Sequence, residues 1–390
     1  MRLVIAKPTM PAFEGDLRSS IDALNAVKSE LGVSGDSLRI NDDLEITFGF
    51  QPIIRYKDLA DLSALEKNLA SSGVGDYPLA LHHPYMHDLD KSSTVDLSRG
   101  EEGYQNLLKV VQFADNIRAL SIAVHPNAVR SKEEISSPEY TYERRLEFLD
   151  RVIKNVLEAQ SHAKFTSVDL ENKPVPATTV DNENMIYTIT FGPLEDLQRY
   201  VNAGGKITFD PCHYGITMRT WNQIPYNAEV IKENAIGIKN DSDHLRETLR
   251  AEHELDKIIS LGYFREDLQE QHLVSDAMLR LSFKLGSAIN HIHLNDGSIY
   301  RPVPETGRPN TDAKIPQVDG IQLYWEAYVP GYGELFNNSD IMPWLRQYGH
   351  EDRTVPLTIE VTEFDNNYKE NPRFREGAVS LVKDILSEFS

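Results

Sequence analysis

Eight short apolar runs alternate with stretches whose apolar residues recur three and four apart. That alternation predicts an α/β chain folded as a (β/α)8 TIM barrel with loop insertions at its C-terminal face. A second observation points the same way. The first run leads into Lys7-Pro8-Thr9-Met10-Pro11, which contains no glycine, so the Gly-rich phosphate turn that usually opens a doubly wound sheet is missing. Length is the third: 390 residues, 40% apolar and 26% charged, suit one large barrel domain over 1–390 that buries its core without staples.

The candidate strands, in order, are Leu3–Ala6, Ile46–Phe50, Leu79–His82, Leu120–His125, Phe165–Glu171, Lys206–Asp210, Ile289–His293 and Pro356–Glu360. Helical periodicity lies between them. Leu107, Leu108, Val111, Ala114 and Ile117 form one apolar stripe, and Leu146, Leu149, Ile153, Val156 and Leu157 form another. Phe374, Ala378, Leu381, Val382, Ile385 and Phe389 form the last, behind Pro372 as a first-turn proline. The strands up to Asp210 are evenly spaced, whereas the two later intervals are longer. An insertion is expected around 214–285. Its first part, Tyr214–Asp243, has weak periodicity and contains Trp221, Pro225 and Tyr226. It reads as a loop excursion over the strand C-termini: a lid, an oligomer contact or plain surface.

Acidic residues number 60 against 40 basic, for a net charge of −20. That opposes unassisted binding to a phosphate backbone and argues against nucleic acid as a partner. Cys212 is the single cysteine, which excludes an intramolecular disulfide and fits a reducing compartment. The start, MRLVIAKPTM, has no signal-like apolar core, and no run is long enough to span a bilayer. A cytoplasmic protein is expected.

Six strands end alike: an apolar residue, then an ionisable one, then turn chemistry. They are Leu81-His82, Val124-His125, Leu170-Glu171, Phe209-Asp210, Ile292-His293 and Ile359-Glu360. Strand side chains alternate between faces. If each ionisable residue points into the bore, so do Ala80, Ala123, Asp169, Thr208, His291 and Thr358, which are small or polar. The other face is then apolar and packs under helices, with Asn290 breaking the pattern in its strand. Three His, two Glu and one Asp would converge in the C-terminal mouth, where barrel enzymes place their chemistry. Inward carboxylates repel one another and lose hydration unless a cation neutralises them. A divalent metal with mixed N and O ligands (Zn, Mn, Co or Fe in preference to Ca) satisfies that demand.

The segments LHHPYMHDL from Leu81, AVHPN from Ala123, VDLENKP from Val168, ITFDPCHYG from Ile207, HIHLNDG from His291 and TIEVTEF from Thr358 resemble the strand ends of xylose isomerase-like TIM barrels. That superfamily includes sugar isomerases and epimerases and endonuclease IV-type repair enzymes. The resemblance implies a metal held by Glu171, Asp210, His293 and Glu360, with Glu171 and Glu360 also moving protons as the catalytic pair. It implies substrate contacts from His213 and, more loosely, Arg301. His82 and His125 match strand ends that ligate a second metal in the endonuclease IV type. The Asp-x-His pair that serves a third metal there is replaced by Ala327-Tyr328-Val329, ahead of Gly333-Glu334. Tyr85 and Trp221 are candidates to wall a sugar pocket with their rings. The cofactor expected is one divalent ion (Mn, Co, Zn or Mg), or two if His82 and His125 are occupied. A homo-oligomer is compatible with the resemblance, though no sequence feature demands one.

Two activities follow as expectations. The first is a metal-dependent isomerase or epimerase of a sugar or sugar derivative, acting by glutamate-mediated proton transfer at a metal-bound hydroxy-carbonyl. The second is a phosphodiesterase of the endonuclease IV type, using two metals. A differently employed barrel is the third reading, since fold does not fix function.

Overall fold

A computed structural model of the chain describes residues 1–12, 14–84, 96–173, 187–188, 194–220, 285–303, 308–315, 317–318, 321–322, 324–330, 332–333, 335–361 and 372–389. The eight barrel strands are β1 (Arg2–Thr9), β2 (Glu45–Pro52), β3 (Ala80–His82), β4 (Ser121–Val124), β5 (Ser167–Glu171), β6 (Lys206–Phe209), β7 (Ile289–Leu294) and β8 (Thr354–Ile359). The principal helices are α1 (Glu14–Glu30), α2 (Leu62–Ser72), α3 (Glu102–Asn116), α4 (Tyr142–His162), α5 (Leu194–Asn202), α6 (Pro211–Thr220), α7 (Met342–Tyr348) and α8 (Pro372–Phe389). One principal helix follows each barrel strand, so every expected strand is present within a few residues.

The strands pair in parallel in the order β2-β1-β8-β7-β6-β5-β4-β3. The ring closes between β3 and β2 through the parallel bridges Phe50↔Leu79 and Ile53↔His82. The amide of Phe50 donates to Pro78 O at 3.0 Å, and that of Ile54 to His82 O at 3.0 Å. This closed ring is a (β/α)8 barrel. A short antiparallel strand, Ser37–Arg39, flanks β2 outside it. Three small antiparallel ribbons follow β7: Asp296–Ser298 with Trp325–Tyr328, Tyr300–Pro302 with Pro309–Lys314, and Gln317–Val318 with Ile321–Gln322. They fill the longer interval before β8.

The apolar parity holds. Leu79, Leu81, Ile122, Val124, Val168, Leu170, Ile207, Phe209, Leu357 and Ile359 all belong to the hydrophobic core between sheet and helices. The helical stripes supply the other half of it: Leu107, Val111 and Ala114 from α3, Leu149, Ile153 and Val156 from α4, and Phe374, Ala378, Leu381, Val382 and Ile385 from α8. Asn290, the exception, sits at a β-bulge where the β7–β6 register shifts between Ile289 and His291.

Two expectations need correction. Phe165 lies outside β5 and is 69% exposed, because the strand begins only at Ser167. The residues from Tyr214 to Thr220 are the body of α6, not the start of a loop. The rest of the expected insertion to 284, Trp221 included, lies outside the described residues, as does Tyr85. Among the described residues no helix is long and apolar enough to cross a membrane.

Candidate metal centre

Each parallel strand delivers its terminal polar residue to one end of the bore. His82, His125, Glu171, Asp210 and His293 are all buried, while the Glu360 side chain keeps 21% of its exposure. Below them Ala80, Ala123, Asp169, Thr208, His291 and Thr358 fill the next layer and are buried. His291 is satisfied within that layer: its Nε2 lies 2.7 Å from Thr358 Oγ1 and its Nδ1 lies 3.3 Å from Ser121 Oγ.

Glu171 is the hub. Its Oε2 is 2.7 Å from His125 Nε2 and 3.4 Å from His82 Nε2. Its Oε1 is 3.2 Å from His213 Nδ1 and 3.3 Å from His293 Nδ1. The same His293 Nδ1 is 3.3 Å from Glu360 Oε1. Asp210 meets the cluster through His213, at 3.5 Å. Three overlapping triads result, each with its ligand atoms within 4.8 Å of one another: His82–His125–Glu171, His82–His293–Glu360 and Glu171–Asp210–His213. Ligand atoms around a tetrahedral Zn at ~2.0 Å are about 3.3 Å apart, close to these separations. Neither Glu171 oxygen has a hydrogen bond of good geometry among the described residues. A buried carboxylate ringed by imidazole nitrogens yet without aligned donors is the arrangement a divalent cation would satisfy.

The electrostatics are those of a cluster organised around one carboxylate. Burial alone would raise the Glu171 carboxyl, but His125 and His293 hold it well below its ordinary range. Burial pulls the His293 ring down, yet Glu360 and Glu171 overcome it and raise the ring to about 9. His125 is held well below the ordinary imidazole value by burial, against the attraction of Glu171. Burial pushes Asp210 up to about 6.

Helix α6 begins on the site itself. Asp210 Oδ1 accepts from the His213 amide at 2.9 Å, capping the helix whose first residue is Pro211. Asp210 Oδ2 accepts from Asn295 Nδ2 at 2.7 Å. The cap places His213 one turn in, with Nδ1 2.9 Å from Asn172 O. An Asp-Pro start was readable in the sequence and would have ended the loop reading of Tyr214 onward.

Among the residues expected to bind substrate, His213 therefore joins the cluster. Arg301 is exposed on the antiparallel ribbon that follows β7, its register partner Asn310. His83, just past the end of β3, is fully buried, and burial and the neighbouring His82 push its ring down to about 3.

Several residues in the site carried no signal in a search for ionisable strand ends. Gln51, at the end of β2, is fully buried and brings Nε2 to 2.7 Å from His293 Nε2. Its parity matches the six ionisable ends, but its amide does not titrate. Asn172 clamps β5 to β6, donating to Asp210 O and accepting from the Asp210 amide, both at 2.7 Å. Lys173 reaches back to place Nζ 3.2 Å from His125 Nε2.

No family model matches the sequence, and no curated protein matches it closely enough to be a relative. Among solved structures the chain is similar to an L-ribulose 3-epimerase (TM-score 0.49, 9% identity, covering 99% of this chain and 94% of that one). It is similar to an endonuclease IV from Thermus thermophilus (TM-score 0.45, 13% identity, covering 98% and 100%). It is also similar to a D-tagatose 3-epimerase-like protein (TM-score 0.45, 12% identity, covering 99% and 97%). The barrel assignment itself rests on the closed strand pairing.

Proposed function

We propose that the chain is a metal-dependent isomerase or epimerase of a sugar or sugar derivative. One observation carries this reading: two carboxylates, Glu171 and Glu360, approach a single imidazole nitrogen, His293 Nδ1, at the same 3.3 Å. One is fully buried and the other is open to the mouth of the barrel. Glu171, Asp210, His293 and Glu360 would hold a divalent ion of the Mn, Co, Zn or Mg kind. Such an ion, when bound, polarises a hydroxy-carbonyl group and acidifies its C–H. Glu360 is reached first from solvent and is placed to take or return a proton at that carbon, while Glu171 serves the other side. The small residues beneath the cluster and the core around it exclude water from below.

The test is a panel of free and phosphorylated sugars with Mn, Co, Zn or Mg, reading solvent deuterium incorporated at carbon. Exchange is expected with the wild type and should fall at least ~100-fold in Glu171→Gln and in Glu360→Gln. Undiminished exchange in a folded variant would remove the assignment.

The triad His82–His125–Glu171 favours a second reading, a phosphodiesterase with two metals. Cleavage of an abasic-site duplex by the purified protein would put it first. The net charge of −20 works against it.

A further inference from the structure

We propose that Lys173 is a built-in cation that borders the His82–His125–Glu171 triad at His125 and limits the chain to a single divalent ion. This rests on the one-metal reading above and supplies a reason for it. Three observations converge. Lys173 Nζ lies 3.2 Å from His125 Nε2, and that nitrogen lies 2.7 Å from Glu171 Oε2. His82 Nε2 lies 3.4 Å from the same oxygen, so the ammonium borders the triad itself. The stem is anchored: Asn172, the preceding residue, is pinned by its pair of hydrogen bonds to the Asp210 backbone.

The chemistry is competitive. A neutral imidazole nitrogen has one lone pair. His125 Nε2 faces both Lys173 Nζ and Glu171 Oε2, and a metal ion bound at that nitrogen would displace both from it. An ammonium and a divalent ion at so short a separation, in a buried site, also repel strongly. The positive charge of Lys173 therefore stands beside the nitrogen that a second metal ion would need. The Oε1 side, with His293, remains for the resident ion. The sequence segment VDLENKP places this lysine two residues beyond the hub carboxylate, close enough for its side chain to turn back over the β4 end.

The experiment counts and locates ions, without any need for turnover. Wild type, Lys173→Arg, Lys173→Met and Lys173→Gln are each saturated with Zn, Mn or Co, freed of excess, and measured by elemental analysis and anomalous scattering. A single ion is expected in the wild type and in Lys173→Arg, which keeps the charge. A second ion, on His82, His125 and Glu171, is expected in Lys173→Met and Lys173→Gln. Two neutral replacements guard against one of them failing to fold. A second ion in the wild type would overturn the proposal. So would a folded neutral variant that binds one ion or none. If the sugar panel fails while the counts hold, the isomerase reading falls and the role of Lys173 stands.

Discussion

Asp169 shares its strand and its inward face with Glu171, two residues earlier, and is fully buried. Ser167 Oγ donates to it, as does Asn290 Nδ2 at 2.8 Å. Burial still prevails and raises its carboxyl to about 6. The unfolded chain titrates Asp near 3.9. The folded state therefore holds the proton more tightly between these values, and stability falls as pH rises through that window. Two pKa units correspond to a loss of about 3 kcal/mol, complete above pH ~6. Asp169→Asn removes the titration. Urea unfolding between pH 4.5 and 7 should show the wild type losing stability relative to the variant; parallel curves would refute the assignment. At this scale the six ionisable strand ends were legible, because charge at an apolar strand's last position is conspicuous. Gln51 was not, because an amide in the same position looks like ordinary turn chemistry. Lys173 was not either, because only folding shows that its side chain turns back to His125.

Element boundaries follow from backbone demands that single residues announce unevenly. Asn290 interrupts the alternation of β7, and the interruption is a bulge that turns its amide toward Asp169. Gly49 is the corresponding device on β2. A Cβ there would lie 2.4 Å from Pro78 O and 2.7 Å from Val4 Cγ1, so the closure of β2 onto β3 depends on the missing side chain. Gly49→Ala should cost about 1–3 kcal/mol, as overpacking does, read as a lower denaturant midpoint. An unchanged midpoint would mean the strands can part at that closure without loss. Helix α6 shows the opposite failure of local reading. Its first two turns have little periodicity, because they are buried between the site and the core: Cys212, His213, Tyr214, Ile216 and Thr217 are all buried. A stretch of helix buried on all its faces has no polar stripe to betray its period.

Over the whole molecule, the convergence of three carboxylates in one mouth couples folding to cation binding. An ion that binds the folded chain alone stabilises it by about 2.7 kcal/mol at a hundred times its Kd. Thermal unfolding with Zn, Mn or Co should therefore occur at a higher temperature than with a chelator. Glu171→Gln combined with His293→Gln should abolish the difference. Equal midpoints with and without metal would show that the cluster does not take up a cation.

The sequence by itself determined the barrel, its strand count, the two faces of each strand and the residues at the strand ends. These depend on period and position, which are local properties of a chain. Only the tertiary structure decided how the ends combine. The strand order brings β5 between β4 and β6, and that neighbourhood places Glu171 in two of the three triads, draws His213 into one of them through the cap of α6 and sets Lys173 against His125. Such contacts join residues far apart in the chain through angles and distances that closure of the ring imposes, and no local pattern encodes them.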